Sequence, residues 1–266
     1  MPVLSSPTSG ATRREKLRRA VASPWMLAGA VAVGGASVLA TPFVAPAVGF
    51  GYLGARLGLG ARHRRFYREL GAAYQPFERG DPSAVVEFCN AAAKGVWPIS
   101  HLAAAELGRL TRRLGDLDGA IELLGKTAAS DDGTLREFLA TELSACYALK
   151  GVTGAAMTWL PERRWSRTTQ AASVAVVWAR TGRAVDVGGL RLARPGWLAS
   201  SLQHERRLLA LMRAFALYKS DPNDDRVGPI ALDAGPAFAG EFTYMGSSWP
   251  EMAEFLAAHL PATPRI

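Results

Sequence analysis

From Ala20 to Ala55 the chain runs for 36 residues without a charge, and polar side chains gather only outside that window. About 18 or more consecutive apolar residues are the pattern of a bilayer segment. The run is too long for one straight helix, since about 20 residues at a rise of about 1.5 Å cover the hydrocarbon. Thr41-Pro42-Phe43-Val44-Ala45-Pro46 interrupts it, because each proline lacks a backbone donor and disfavours a helical residue before it. The pattern predicts a helical hairpin within a membrane segment at 20–61, with arms Trp25–Ala40 and Ala47–Gly60. Gly29, Gly34 and Gly35 on one arm, and Gly49, Gly51, Gly54 and Gly58 on the other, let two helices approach closely. Two other readings fit the same stretch. One is a single kinked span whose second half lies in the interface. The other is a cleaved signal peptide ending near Val38-Leu39-Ala40 or Ala45-Pro46-Ala47.

After Arg65 the pattern becomes helical, with few strand signals, so the expected class is all-α. A spaced set recurs. Leu107-Gly108, Leu110, Gly115 and Ala120 form one copy, and Leu143-Ser144, Tyr147, Gly151 and Ala156 another, 36 residues on. Weaker copies stand at Leu70-Gly71, Tyr74, Gly80 and Ala84, and at Val177, Ala179 and Gly182. Each set has a simple physical sense. Gly108 or Ser144 lets a partner helix come close. Gly115 or Gly151 ends the first helix in a conformation other residues resist. Ala120 or Ala156 sits where two helices cross. Leu110, Leu114, Ile121 and Leu124 fill the layer between them.

This spacing resembles the tetratricopeptide repeat (TPR) family, with Thr111 standing in place of the usual aromatic. The resemblance covers a repeat domain at 62–182 and implies stacked helical pairs. It further implies that the first helix of each pair lines a concave groove. Carried onto this chain, the groove shows Arg65 and Arg68, then Arg109, Arg112 and Arg113, then Phe138, Thr141, Ala145 and Ala148. A basic groove of this kind suits acidic or C-terminal carboxylate peptides.

The stretch 183–266 departs from the repeat and reads as a helical capping region. Val185–Leu192 is a small hairpin or loop around Gly188-Gly189. A strong helix is expected over Trp197–Lys219, stopped by Asp221-Pro222-Asn223-Asp224-Asp225. Little periodicity follows up to Gly246. Ser248 is the expected cap of a last helix, Trp249–His259, with Pro250 in its first turn.

Charge sharpens the membrane reading. The net charge is +8, and residues 1–65 carry all of it, with nine Lys/Arg against Glu15 alone; the rest sums to zero. Basic residues flanking an apolar run are a topology signal, so the excess argues against nucleic acid as a partner. Both flanks are basic, which puts the N-terminus and the repeat domain on the cytoplasmic side. Residues 1–19 read as a partly disordered basic segment, with Thr12 capping a short helix.

Candidate chemistry is sparse. His63, His101, His204 and His259 have no metal-ligand spacing, and Cys89 and Cys146 form no paired motif. No phosphate loop, dinucleotide fingerprint or nucleophile elbow is present. Asp131-Asp132 and Asp224-Asp225 read as helix starts and loop solvation. The expectation is therefore no enzyme, no cofactor and no metal. It is a membrane-anchored scaffold or adaptor that recruits protein partners and touches lipid, or else a structural subunit of a larger membrane complex.

Overall fold

The computed structural model describes residues 44–131, 133, 135–161, 168–191 and 203–260. Every regular element among them is helical. The first hairpin arm, with Gly29, Gly34, Gly35 and the start of the proline break, lies outside the described residues. None of the described helices is long and apolar enough to cross a membrane.

Helix α1 (Val44–Phe77, 34 residues) does not end at Gly60 as expected; it continues to Phe77. Gly58 and Gly60 stand singly among Ala, Leu and Arg, and one glycine costs about 1 kcal/mol in a helix, too little to stop it. Pro46 falls in the first turn, where no backbone donor is needed. The helix has two characters. From Gly58 to Arg65 no side chain is buried, whereas Leu70, Tyr74 and Phe77 are buried at helical spacing.

Helical pairs follow: α2 (Ser83–Ala93), α3 (Ile99–Arg113), α4 (Leu117–Ser130), α5 (Arg136–Leu149), α6 (Thr153–Trp159) and α7 (Thr168–Arg180). The turns that close α1, α3, α5 and α7 carry Gly80, Gly115, Gly151 and Gly182, all at positive φ between 77° and 90°. At Gly115 that conformation lets α3 stop and Asp116 cap α4, its side chain accepting from Gly119 N at 2.8 Å. A Cβ built on Gly108 would lie 2.6 Å from Leu124 Cγ, so the Leu124 side chain of α4 packs directly on the α3 backbone there. Ser144 donates its hydroxyl to Ala156 O at 2.6 Å, joining α5 to α6. Ala120, Ala156, Leu110 and Leu124 are fully buried. Leu114 is not in the layer; it is 51% exposed at the C-cap of α3, where the chain is already turning.

The C-terminal third differs more from expectation. The stretch after Gly182 is a 3-10 turn (Ala184–Gly189). Helix α8 spans Gln203–Ser220, and 192–202, which include the expected start at Trp197, lie outside the described residues. Leu208, Leu209, Leu211, Met212 and Phe215 of α8 bury themselves against α7 and the C-terminal elements. The supposedly aperiodic stretch holds α9 (Val227–Asp233) and α10 (Thr243–Gly246), and α11 spans Pro250–His259.

Between α9 and α11 the chain acts as a strap that passes the repeat turns in sequence order. Phe238 packs on Phe77 with ring centroids 5.6 Å apart and also closes on Gly80. The Tyr244 Cβ is 3.6 Å from a Cβ built on Gly115. Ser248 donates its hydroxyl to Leu149 O at 2.7 Å, so it satisfies an orphan carbonyl at the end of α5 and does not cap α11. Trp249 is the residue at that cap. Arg180 completes the attachment, donating to Ser248 O at 3.0 Å with its guanidinium 5.0 Å from the Trp249 ring centre.

Candidate functional site

The face of α3 that bears Glu106, Arg109, Arg112 and Arg113 points inward, and these residues meet partners from α1, α5, α7 and α8. Arg109, Arg112 and Arg113 are 1%, 0% and 4% exposed. They do not line an open groove, as the sequence suggested. Phe138 is half-buried, and Thr141, Ala145 and Ala148 are fully covered too, the two alanines packing against α6 and α7. Arg65 and Arg68 are exposed on α1.

Each buried arginine has a carboxylate. Arg109 Nη2 donates to Glu106 Oε2 at 2.5 Å, and its Nη1 lies 3.5 Å from Glu205 Oε1. Arg112 Nη2 donates to Glu142 Oε2 at 2.9 Å, while Ser173 on α7 donates to the other oxygen at 2.7 Å. Arg113 Nη2 donates to Glu205 Oε1. Aromatic faces close the sides: Arg113 sits 5.6 Å from the Tyr74 ring centre and Arg109 5.7 Å from that of Phe138. Burial works to raise the Glu205 carboxyl, but Arg113 and Arg109 outweigh it and hold the group well below the usual carboxylate range. Burial opposes the charge on Arg109 as well, and Glu106 overrides it, pushing that guanidinium further up.

A second cluster adjoins the first. His204 Nδ1 is 2.7 Å from Glu241 Oε1. Arg207 Nε reaches both oxygens of Glu241 at 3.0 Å, and its Nη2 also donates to Glu78 at 2.6 Å. Ala237 N donates to Glu241 at 2.6 Å. Burial, then Arg113, pushes His204 down to about 4, so the ring is neutral near pH 7 and its Nδ1–H donates. Glu241 falls to about 2, because hydrogen bonds from His204 and Arg207 outweigh its burial. Tyr244 O–H lies 3.5 Å from His204 Nε2, and burial lifts that phenol to about 12.

This arrangement joins helices; it does not offer reactive groups to solvent. Cys89 and Cys146 are buried thiols lifted to about 12 by that burial, so both stay protonated. Among the described residues no three His, Cys, Asp or Glu side chains gather as a metal site.

Two signals in the sequence point to the clusters. Glu205 stands three, four and seven residues before Leu208, Leu209 and Met212, on the apolar stripe of its helix. Glu142 is placed likewise on a stripe, three residues after Leu139 and four and seven before Cys146 and Leu149. A carboxylate on an apolar stripe needs an internal cation, and the α3 arginines are that cation. Of the glycines assigned to membrane packing, Gly49, Gly51 and Gly54 lie within the helical span of α1. Gly58 is exposed, with nothing described within 4 Å of a Cβ built on it. Comparison with protein-family models, curated proteins and solved structures finds no match to this chain.

Proposed function

We propose that the chain is a membrane-anchored helical-repeat adaptor, held by its apolar N-terminal stretch with the helical array on the cytoplasmic side. One observation carries this reading: the whole net charge of +8 lies beside a 36-residue run that has none. Positive flanks on an uncharged run favour retention of both ends on the cytoplasmic side. The TPR-like reading of the array draws support from Gly80, Gly115, Gly151 and Gly182, which share one backbone conformation at corresponding turns. Because Arg109, Arg112 and Arg113 are closed inside the fold, the adaptor reading stands without the acidic-peptide groove.

A second reading, a subunit of a larger membrane complex, draws on the open space at Gly58. Small residues with room beside them are where another helix packs in a bilayer. Purification in mild detergent separates the two, with fixed stoichiometry favouring the subunit and salt-labile partners the adaptor.

The test of the anchor is extraction and topology. The full chain is expected to stay in the membrane pellet through an alkaline carbonate wash. A reporter fused after Ile266 is expected to be active only on the cytoplasmic side. Release by carbonate would overturn the anchor, and reporter activity on the other side would overturn the hairpin.

A further inference from the structure

Arg183, Arg207 and Arg226 each meet a carboxylate. Arg191 and Arg213 meet a carbonyl instead. Leu190, just after the 3-10 turn, is buried, and its N–H is tied back to Val187 O at 3.2 Å, so its own carbonyl is fixed. Arg213 of α8 donates to Leu190 O through Nη2. Arg191 reaches the same oxygen through Nη1 at 3.4 Å and donates from that nitrogen to Gly188 O at 2.9 Å. Two guanidinium groups therefore converge on one oxygen, and among the described residues their bonds go to carbonyls alone. Asp186, the acid of this turn, is taken by Arg183 at 2.8 Å. Arg213 is partly buried, and its Nε is enclosed without a partner. Burial, with Arg191 adding to it, holds its guanidinium below the ordinary arginine value. Like charges gathered where water is partly excluded cost free energy, and an anion between them removes that cost.

We propose that Arg191 and Arg213 form a binding site for a phosphate group carrying two negative charges. The charges match, since two guanidinium groups meet a phosphomonoester that is close to doubly ionised near pH 7. Phosphate oxygens accept the paired, charge-assisted bonds that guanidinium forks donate. The donors not spent on carbonyls are Nη1 of Arg213 and Nε and Nη2 of Arg191, and these take the ligand oxygens. Leu190 O holds both heads in place beforehand, so less side-chain freedom is lost on binding. The same dianionic group occurs as free phosphate and as the phosphomonoester headgroup of a lipid. The site stands whether or not the chain is anchored in a membrane.

The experiment is equilibrium dialysis of labelled orthophosphate against the full chain in uncharged detergent at constant ionic strength. R191Q and R213Q are each expected to weaken binding about ten-fold or more, the worth of one charge-assisted bond. R213K is expected to recover only part of the loss, because an ammonium keeps the charge without the fork. R226Q, which alters an arginine already paired with Asp224, is expected to change nothing. Arg191 is exposed, so R191Q keeps its helical content and decides the matter even where R213Q folds poorly. Native affinity in R191Q, an equal loss in R226Q, or no saturable binding by the native chain overturns the site. Given the R191Q loss, displacement of orthophosphate by phosphatidic acid in the micelle, and not by phosphatidylglycerol, assigns the site to a lipid headgroup. Failure of both lipids to displace it assigns the site to free phosphate.

Discussion

Glu205 reaches Arg113 from a position 92 residues further along the chain, and both side chains are fully withdrawn from water. Taking a carboxylate out of water is costly unless cations replace the lost hydration. Here Arg113 and Arg109 do so. Removing the carboxylate takes the counter-ion from the buried Arg113 guanidinium, while Arg109 keeps Glu106, so Glu205→Ala is expected to destabilise the fold by about 3–5 kcal/mol. Glu122→Ala is the matched control. Its pair with Lys126 is about two-thirds or more exposed on each side, and such pairs contribute about 0.5 kcal/mol or less. Urea midpoints in mild detergent, followed by helical circular dichroism, separate the two. Equal shifts would mean that the cluster contributes no more than a solvated pair. At this scale the arginines were legible as a set and their environment was not. Helical spacing says that Arg109, Arg112 and Arg113 share a face of α3, but it does not say what covers that face. The covering residue, Glu205, was visible only as a carboxylate out of place on an apolar stripe.

Helix pairing was the most legible feature, because it depends on small residues at fixed local offsets. Gly108 was expected to allow close approach, and in the fold Leu124 occupies the space a side chain there would need. Gly108→Ala is expected to cost about 1–3 kcal/mol through overpacking. Adding Leu124→Ala should recover part of that loss, since the methyl group then has somewhere to go, giving a coupling of roughly 1 kcal/mol or more in a double-mutant cycle. Gly125→Ala, where nothing lies within 4 Å, should be neutral or stabilising by about 1 kcal/mol or less. Unfolding midpoints of the four chains decide the point, and simple additivity would remove the contact from the account. Elements whose role depends on distant partners were not legible. Nothing local says that α1 continues past Gly60, since the weak glycine breaks yield to strong helix formers around them. Ser248 looked like a cap because it precedes Pro250. Its hydroxyl is instead used by Leu149 O, 99 residues away in sequence.

Across the molecule, the neutral charge balance after Arg65 takes on a structural meaning, because part of it is spent on internal pairs under the strap. The sequence showed that acids and bases are equal in number there. It did not show which of them meet, because Arg113–Glu205 and Arg207–Glu78 join residues 92 and 129 positions apart. The strap is not legible in the sequence for a related reason: Phe238, Tyr244 and Ser248 each serve a different turn, so the stretch has no period of its own. These internal pairs make the fold acid-sensitive in a defined direction. Glu241 has an ordinary value of 4.5 and is held at about 2 in the fold, facing His204 and Arg207, with Glu78 on the far side of Arg207. A carboxyl depressed on folding contributes stability above its unfolded value, and that contribution is lost as pH falls through the folded one. For Glu241 the contribution is on the order of 3 kcal/mol. Glu205, depressed by Arg113 and Arg109 against its burial, acts in the same direction. His204 adds to the effect from a higher pH. Its ordinary value is 6.5 and its folded value about 4, so the unfolded chain takes up a proton that the fold refuses between those limits. Stability is therefore expected to begin falling below about pH 6.5 and to fall more steeply from about pH 4.5 towards pH 2. Asp224 is also held down, at about 2, by Arg226, but that pair is a solvated surface turn and is screened. The check is the urea midpoint against pH for the native chain and for Glu241→Gln. The glutamine is expected to lower the plateau and flatten the limb below pH 4.5, because one titrating group has gone. Parallel curves would mean that the acid sensitivity comes from elsewhere in the chain.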